Sequence, residues 1–160
     1  MARFDSNFHD VTEGIHAVAS PADAADLLNT IVESYGLETA AFLTVRPVYE
    51  EPSKPFYVTT YSPDWVKRYI EKDFFDIDPV LRYGLRAVKL VDWKEIDLSD
   101  KPVRTFFGEA REHGVGKHGV TFPVRGVDGD RGILTDEQRE RSGVADVSQI
   151  RGSRLPASRR

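Results

Sequence analysis

Two pairs of short apolar runs constrain this chain more than any other feature. AAFLTVR (40–46) and FYVTTY (56–61) make the first pair, separated by the turn-forming stretch EPSKP (51–55). GVTFPVRG (119–126) and RGILT (131–135) make the second, joined across VDGD with its Asp128-Gly129 dipeptide. Each run has the length of a strand, carries β-branched or aromatic residues and is bounded by turn residues. Each pair therefore predicts an antiparallel hairpin. Helix-forming sequence lies before and between the pairs, so the strands should meet in one sheet with helices on its faces.

Caps and spacing mark the helices. Phe8, Val11, Ile15 and Val18 recur at intervals of three and four, a helical stripe over residues 5–18. Ser20-Pro21, with Asp23 in the first turn, starts a second helix that carries Leu27, Leu28, Ile31 and Val32 to a C-cap at Gly36. Ser62-Pro63-Asp64 repeats that start ahead of Trp65, Tyr69 and Phe74. DFFDIDPVLRYGLR (73–86) predicts a loop and then a short helix, and LVDW (90–93) a short extended piece. Ser99 is the expected cap of a helix carrying Val103, Phe106, Phe107 and Ala110 and ending at Gly114. The order α α β β α α α β β predicts an α+β fold around a central antiparallel sheet of about five strands. From Asp136 the hydrophobic pattern stops. A folded domain is expected over 1–138 and a flexible basic tail over 139–160, because residues 141–160 hold five arginines against one acidic residue.

Composition narrows the functional class. A length of 160 residues suits one domain, and 40% hydrophobic with 11% aromatic residues excludes wholesale disorder. The absence of cysteine excludes disulfide frameworks, thiolate metal sites and a Cys nucleophile. A net charge of −4 argues against a basic nucleic-acid binder. The opening MARFDSNFHDVTEG has no apolar signal region, and the longest purely apolar run is Ala40 to Leu43, so a soluble cytoplasmic protein without a membrane span is expected.

Motifs for catalysis fail on context. Gly114-Val115-Gly116-Lys117-His118-Gly119 fits G-x-G-x-x-G, but a helix precedes it and a strand follows, the reverse of a dinucleotide site. His9, His16, His113 and His118 show no metal-ligand spacing, and neither a G-x-S-x-G elbow nor a P-loop occurs. No enzyme activity, no metal and no cofactor are expected.

The segment Tyr61–Trp93 carries the information. Trp65 and Tyr69 lie four apart and share a helix face, Asp78 precedes Pro79 after an aromatic lead-in, and Trp93 follows. Aromatics at helical spacing are commonly core, and Asp before Pro is commonly a cap or turn. Together the same residues offer an aromatic wall with hydrogen-bonding tips and one carboxylate acceptor, which suits a small amphipathic ligand.

The arrangement Tyr61-Ser-Pro-Asp-Trp65-x3-Tyr69, x8-Asp78-Pro79, Trp93 and Gly119-Val-Thr-Phe-Pro123-Val resembles the N-terminal autoinducer-binding domain of LuxR-type quorum-sensing regulators, over residues 5–135. The resemblance implies an α-β-α sandwich enclosing an N-acyl-homoserine lactone. It implies that Trp65 donates to the lactone carbonyl, Asp78 accepts the ligand amide N–H, and Tyr61 hydrogen-bonds the acyl carbonyl. Tyr69 would lie along the ligand, Trp93 would close the pocket by packing, and Thr135 would reach the acyl amide region. Val80, Leu81, Phe106, Ala110, Val115, Thr121 and Ile133 fall at lining positions. The Gly114–Gly119 loop is one residue longer than in close relatives, and Asp136-Glu137 replaces the usual end of the last strand. The helix-turn-helix domain of the family is not found in this sequence, so direct DNA binding by this chain is not expected. A homodimer, or a heterodimer with a full-length LuxR-type regulator, is expected. Two readings compete with a plain sensor: a truncated partner that heterodimerises and blocks transcription activation, and a lactonase, which lacks any supporting triad or metal cluster.

Overall fold

The computed structural model describes residues 2–45, 55–115, 118–126 and 129–137. Helices α1 (Ala2–Ala17) and α2 (Pro21–Tyr35) lead into strands β1 (Thr39–Val45) and β2 (Phe56–Thr59). Helix α3 (Pro63–Glu71), a 3-10 turn at Phe74–Asp76 and helix α4 (Pro79–Gly84) follow. Then come β3 (Val91–Asp92), a second 3-10 turn (Trp93–Glu95), α5 (Lys101–Glu112), β4 (Gly119–Arg125) and β5 (Arg131–Glu137). One antiparallel sheet in the order β2-β1-β5-β4-β3 joins both expected pairs through β5 and β1. The α+β fold with a five-stranded antiparallel sheet is therefore as expected.

Local chemistry explains the helix ends. Ser20 caps α2 by accepting from the Asp23 N–H at 3.2 Å, while Asp23 accepts in return from the Ala19 N–H at 3.0 Å. Pro21 sits in the first turn, where its missing N–H removes no helical bond. Gly36 closes the helix in the left-handed conformation, φ 64°. Ser62 caps α3 in the same way, accepting from the Trp65 N–H at 3.2 Å.

Period-two alternation divides the sheet between two cores. Ala40, Phe42, Val58 and Leu134 face α2 and pack on Leu28, Ala24, Ala25 and Val32. Leu43 and Ile133, paired across β1 and β5, face the opposite layer of α3, α4 and α5. That layer is aromatic: Trp65, Phe74 and Phe106 meet with ring centroids 5.4–5.9 Å apart. The Arg68 Nε donates to Glu109 Oε2 at 2.5 Å and ties α3 to α5.

Four local expectations are corrected. The stripe on α1 does not face the core, since Phe8 and Ile15 are 62% and 57% exposed. Of that stripe Val11 is half-buried, as are Asn7 and Gly14 beside it: Asn7 donates to the Ser34 carbonyl at 2.8 Å, and a Cβ on Gly14 would lie 2.6 Å from the end of the Leu27 side chain. Leu27 of α2 thus packs directly over Gly14 of α1. Phe74 does not continue α3. Asp73 at φ 50° breaks the helix, and Phe74 re-enters the aromatic cluster from the 3-10 turn. Ser99 does not cap α5; Asp100 holds that position, and Ser99 bonds to Asp97. Finally, β5 does not stop at Thr135. It runs to Glu137, which pairs with Thr39 on one side and Gly119 on the other. A central strand continues as long as both neighbours offer backbone partners, whatever its side chains. The expected tail (139–160), most of EPSKP, Asp128 of the hairpin turn, and Gly116 and Lys117 of the loop lie outside the described residues.

Candidate functional site

Between the sheet and the α3–α5 layer lies a cavity of about 460 Å³. That volume falls within the roughly 300–1,000 Å³ usual for small-molecule sites. The strands supply its floor through residues of one face, and the helices supply its aromatic roof.

Asp78 sits at the polar end. It is 7% exposed and does two jobs at once. Its Oδ1 accepts the N–H groups of Val80 and Leu81, at 2.7 and 3.2 Å, and so caps α4. Its Oδ2 accepts the Tyr69 hydroxyl at 2.7 Å. The turn role and the cavity role foreseen as alternatives are thus one arrangement. Burial pushes its pKa up to about 6, against the hydrogen bonds from Tyr69, Leu81 and Val80, which act downward. The same burial, with the Asp78 charge beside it, keeps the Tyr69 phenol protonated. Burial, and then the nearby Glu137 carboxylate, push the Tyr61 phenol well above its ordinary value and keep it protonated. Asp78 and the two phenols therefore share the polar end of the chamber.

Trp65 lines the cavity while only 2% exposed to solvent. Its indole N–H makes no hydrogen bond to a described residue, which leaves one strong donor in the wall. Trp93 differs. Its indole N–H donates to Thr121 Oγ1 at 2.9 Å, and Thr121 shares a 3.1 Å hydrogen bond with Thr135. The Trp93 ring lies flat on Gly119, where a Cβ would stand 2.7 Å from it. Trp93 thus presents an apolar face to the chamber.

Twelve of the thirteen residues singled out from the sequence line this cavity: Tyr61, Trp65, Tyr69, Asp78, Trp93 and Thr135, together with Val80, Leu81, Phe106, Ala110, Val115 and Ile133. Thr121 does not. It is fully buried behind the lining, where it links Trp93 to Thr135. Val115 reaches the cavity.

Sequence reading missed the floor and one rim. Ala41 and Leu43 line the cavity from β1, and Tyr57 from β2. Their signal was present: they alternate with Ala40, Phe42 and Val58, which face α2. Val66 and Ile70 lie one position beyond Trp65 and Tyr69 and continue the same wall. Among the described residues no group of three or more His, Asp or Glu is placed to hold a metal, and no helix is long and apolar enough to cross a membrane.

Comparisons with known proteins converge on one family. A family model described as an autoinducer binding domain matches residues 20–155. The transcriptional activator RaiR of Rhizobium etli is 45% identical over 83 residues, which make up 52% of this chain and 34% of RaiR. The transcriptional activator VanR of Vibrio anguillarum is 27% identical over 119 residues, 74% of this chain and 49% of VanR. The chain thus spans a third to a half of the length of these curated relatives, which are transcriptional regulators and not enzymes. Among solved structures, the N-acylhomoserine lactone dependent LuxR family transcription factor CepR2 of Burkholderia cenocepacia superposes with a TM-score of 0.76 at 19% identity, over 94% of this chain and 88% of that one. SdiA in complex with octanoyl-rac-glycerol gives 0.69 at 20% identity, over 89% and 58%. At such identities the superpositions speak for the fold. The family match, which covers most of the chain, goes further: this protein belongs to the autoinducer binding domain family of LuxR-type transcriptional regulators.

Proposed function

We propose that residues 1–138 form the sensor unit of a cytoplasmic LuxR-type regulator and bind an N-acyl-homoserine lactone in the chamber between the sheet and the α3–α5 layer. The observation that carries this reading is Asp78: an acid buried in the wall of a largely apolar cavity that the Trp65 indole also lines. A buried acid is costly unless donors face it. A ligand amide N–H is such a donor, and Asp78 accepts it. Trp65 donates to the lactone carbonyl, Tyr61 hydrogen-bonds the acyl carbonyl, and Thr135 reaches the acyl amide region. Leu43, Phe106, Ala110 and Ile133 enclose the acyl chain, whose burial contributes about 0.8 kcal/mol per CH₂. Each neutral polar contact adds about 0.5–1.5 kcal/mol, and one to a charged partner roughly 1.5–3. Transcription control by the whole protein follows from the relatives' activity.

Thermal melting and mass spectrometry test the proposal together. Protein expressed beside a producing strain is extracted, and the extract should contain an acyl-homoserine lactone. The same compound, added at about a hundred times its Kd, should stabilise the fold by roughly 2.7 kcal/mol. Octanoyl-glycerol, the compound bound in the SdiA structure, has the acyl chain without the amide and serves as the control. The reading fails if lactones of every chain length leave melting unchanged.

A further inference from the structure

The lactone end of the chamber depends on how Trp65 is aimed. An indole N–H is a single donor on a flat ring, and its hydrogen bond weakens steeply once the ring swings away from the acceptor. Four described rings meet the indole. Tyr69 from its own helix, Phe74 from the 3-10 turn and Phe106 from α5 stand 5.8–5.9 Å away, and they also pack on one another. The fourth is His113, the nearest at 5.4 Å and tilted by 41° to the indole. His113 does not line the chamber.

His113 has an anchor of its own. It follows the last residue of α5, and its Nδ1 lies 2.9 Å from the Glu109 carbonyl. A carbonyl only accepts, so Nδ1 carries the proton, and the half-buried imidazole is tied to the last turn of the helix. Gly114 then turns the chain at φ 79°, and the Val115 N–H donates back to the Ala110 carbonyl at 2.8 Å, which brings Val115 to the chamber wall. One turn before His113, Glu109 takes the ion pair with Arg68. Arg68 lies one turn beyond Trp65, so two adjacent cross-links, one ionic and one aromatic, join α3 to α5.

We infer that His113 is a positioning residue for ligand recognition: its ring, anchored on Glu109, backs the Trp65 indole and holds its N–H on the lactone carbonyl. The inference rests on the lactone reading and adds a residue that acts on the ligand only through Trp65.

Two ligands isolate that contact. One is the acyl-homoserine lactone that raises the melting temperature most. The other is the N-cyclopentyl amide of the same acid, which keeps the chain, the amide and a five-membered ring but has no lactone carbonyl. The native 160-residue protein should bind the lactone about three- to tenfold more tightly, the scale of one neutral hydrogen bond. His113→Ala should bring that ratio to about one. His113→Gln, which keeps a donor for the Glu109 carbonyl without the ring, should do the same and serves if His113→Ala fails to fold. His113→Phe keeps a ring and should restore most of the ratio. In Trp65→Phe the ratio should already be about one, and adding His113→Ala should leave it there. A role in stability alone would weaken both ligands alike and leave the ratio in place, which overturns the inference, as does a ratio lost equally in His113→Phe. If no lactone stabilises the fold, or the native protein binds both ligands equally, the lactone reading of Trp65 falls and this inference with it. A native ratio that ignores His113 sinks this inference alone.

Discussion

The two faces of the sheet are built from the same strands and behave as opposites. On the α2 face, Ala40, Phe42, Val58 and Leu134 meet small α2 residues such as Ala24 and Ala25, and the layers close fully. On the other face, Trp65, Tyr69, Phe74, Phe106 and Phe107 stack against one another and hold their layer away from the strands. Small residues let backbones approach; large aromatics that pack edge to face form a rigid arch. One face is a core and the other a chamber. All the buried polar chemistry of Asp78, Tyr61, Thr121 and Thr135 collects on the chamber side.

The sharpest way to break this contrast is to open the closed face. Leu28→Ala should cost about 2–5 kcal/mol in urea unfolding, the usual range for a buried leucine. The lactone Kd of the folded protein should not change, because Leu28 does not line the chamber. A parallel loss of affinity would show that the faces are coupled.

Asp78→Asn probes the other face through pH. The folded-state pKa of about 6 stands above the ordinary carboxyl value of 3.8, so folding favours the protonated carboxyl. Its stabilising contribution is full below about pH 4 and is lost as pH rises to about 6. The difference is on the order of 3 kcal/mol at neutral pH. The slope of stability between pH 4 and 6 should therefore be falling in the native protein, and shallower in Asp78→Asn. Ligand binding should run the opposite way. An amide N–H favours the charged acceptor, so lactone affinity should rise as pH climbs through about 6, and Asp78→Asn should abolish that rise and weaken binding about tenfold or more. Equal pH profiles for the two proteins would remove Asp78 from the site.

Thr121→Val is the finest probe. It leaves the Trp93 indole N–H without its acceptor and Thr135 without a partner, at nearly constant volume. A loss of about 1 kcal/mol in stability is expected, together with a modest weakening of binding as Thr135 loses its orientation. An unchanged protein would mean that packing on Gly119 alone positions Trp93.

Local rules were readable without coordinates. Ser-Pro starts, the Gly36 cap and strand alternation are satisfied within a few residues, so the second and third helices and both strand pairs follow from sequence. The aromatic constellation was readable too, because its members carry rare side chains at fixed separations. Long-range pairing decided the rest. Whether α1 turns Phe8 outward depends on where Leu27 meets Gly14. Whether Asp136-Glu137 ends a strand depends on β1 and β4 flanking it, since backbone bonds on both sides outweigh two charged side chains. The chamber itself is the gap left between layers whose separation is set by stacked rings. The identity of its walls is written in the sequence, but its volume and the pairing of Tyr69 with Asp78 exist only once the segments that carry them are brought together.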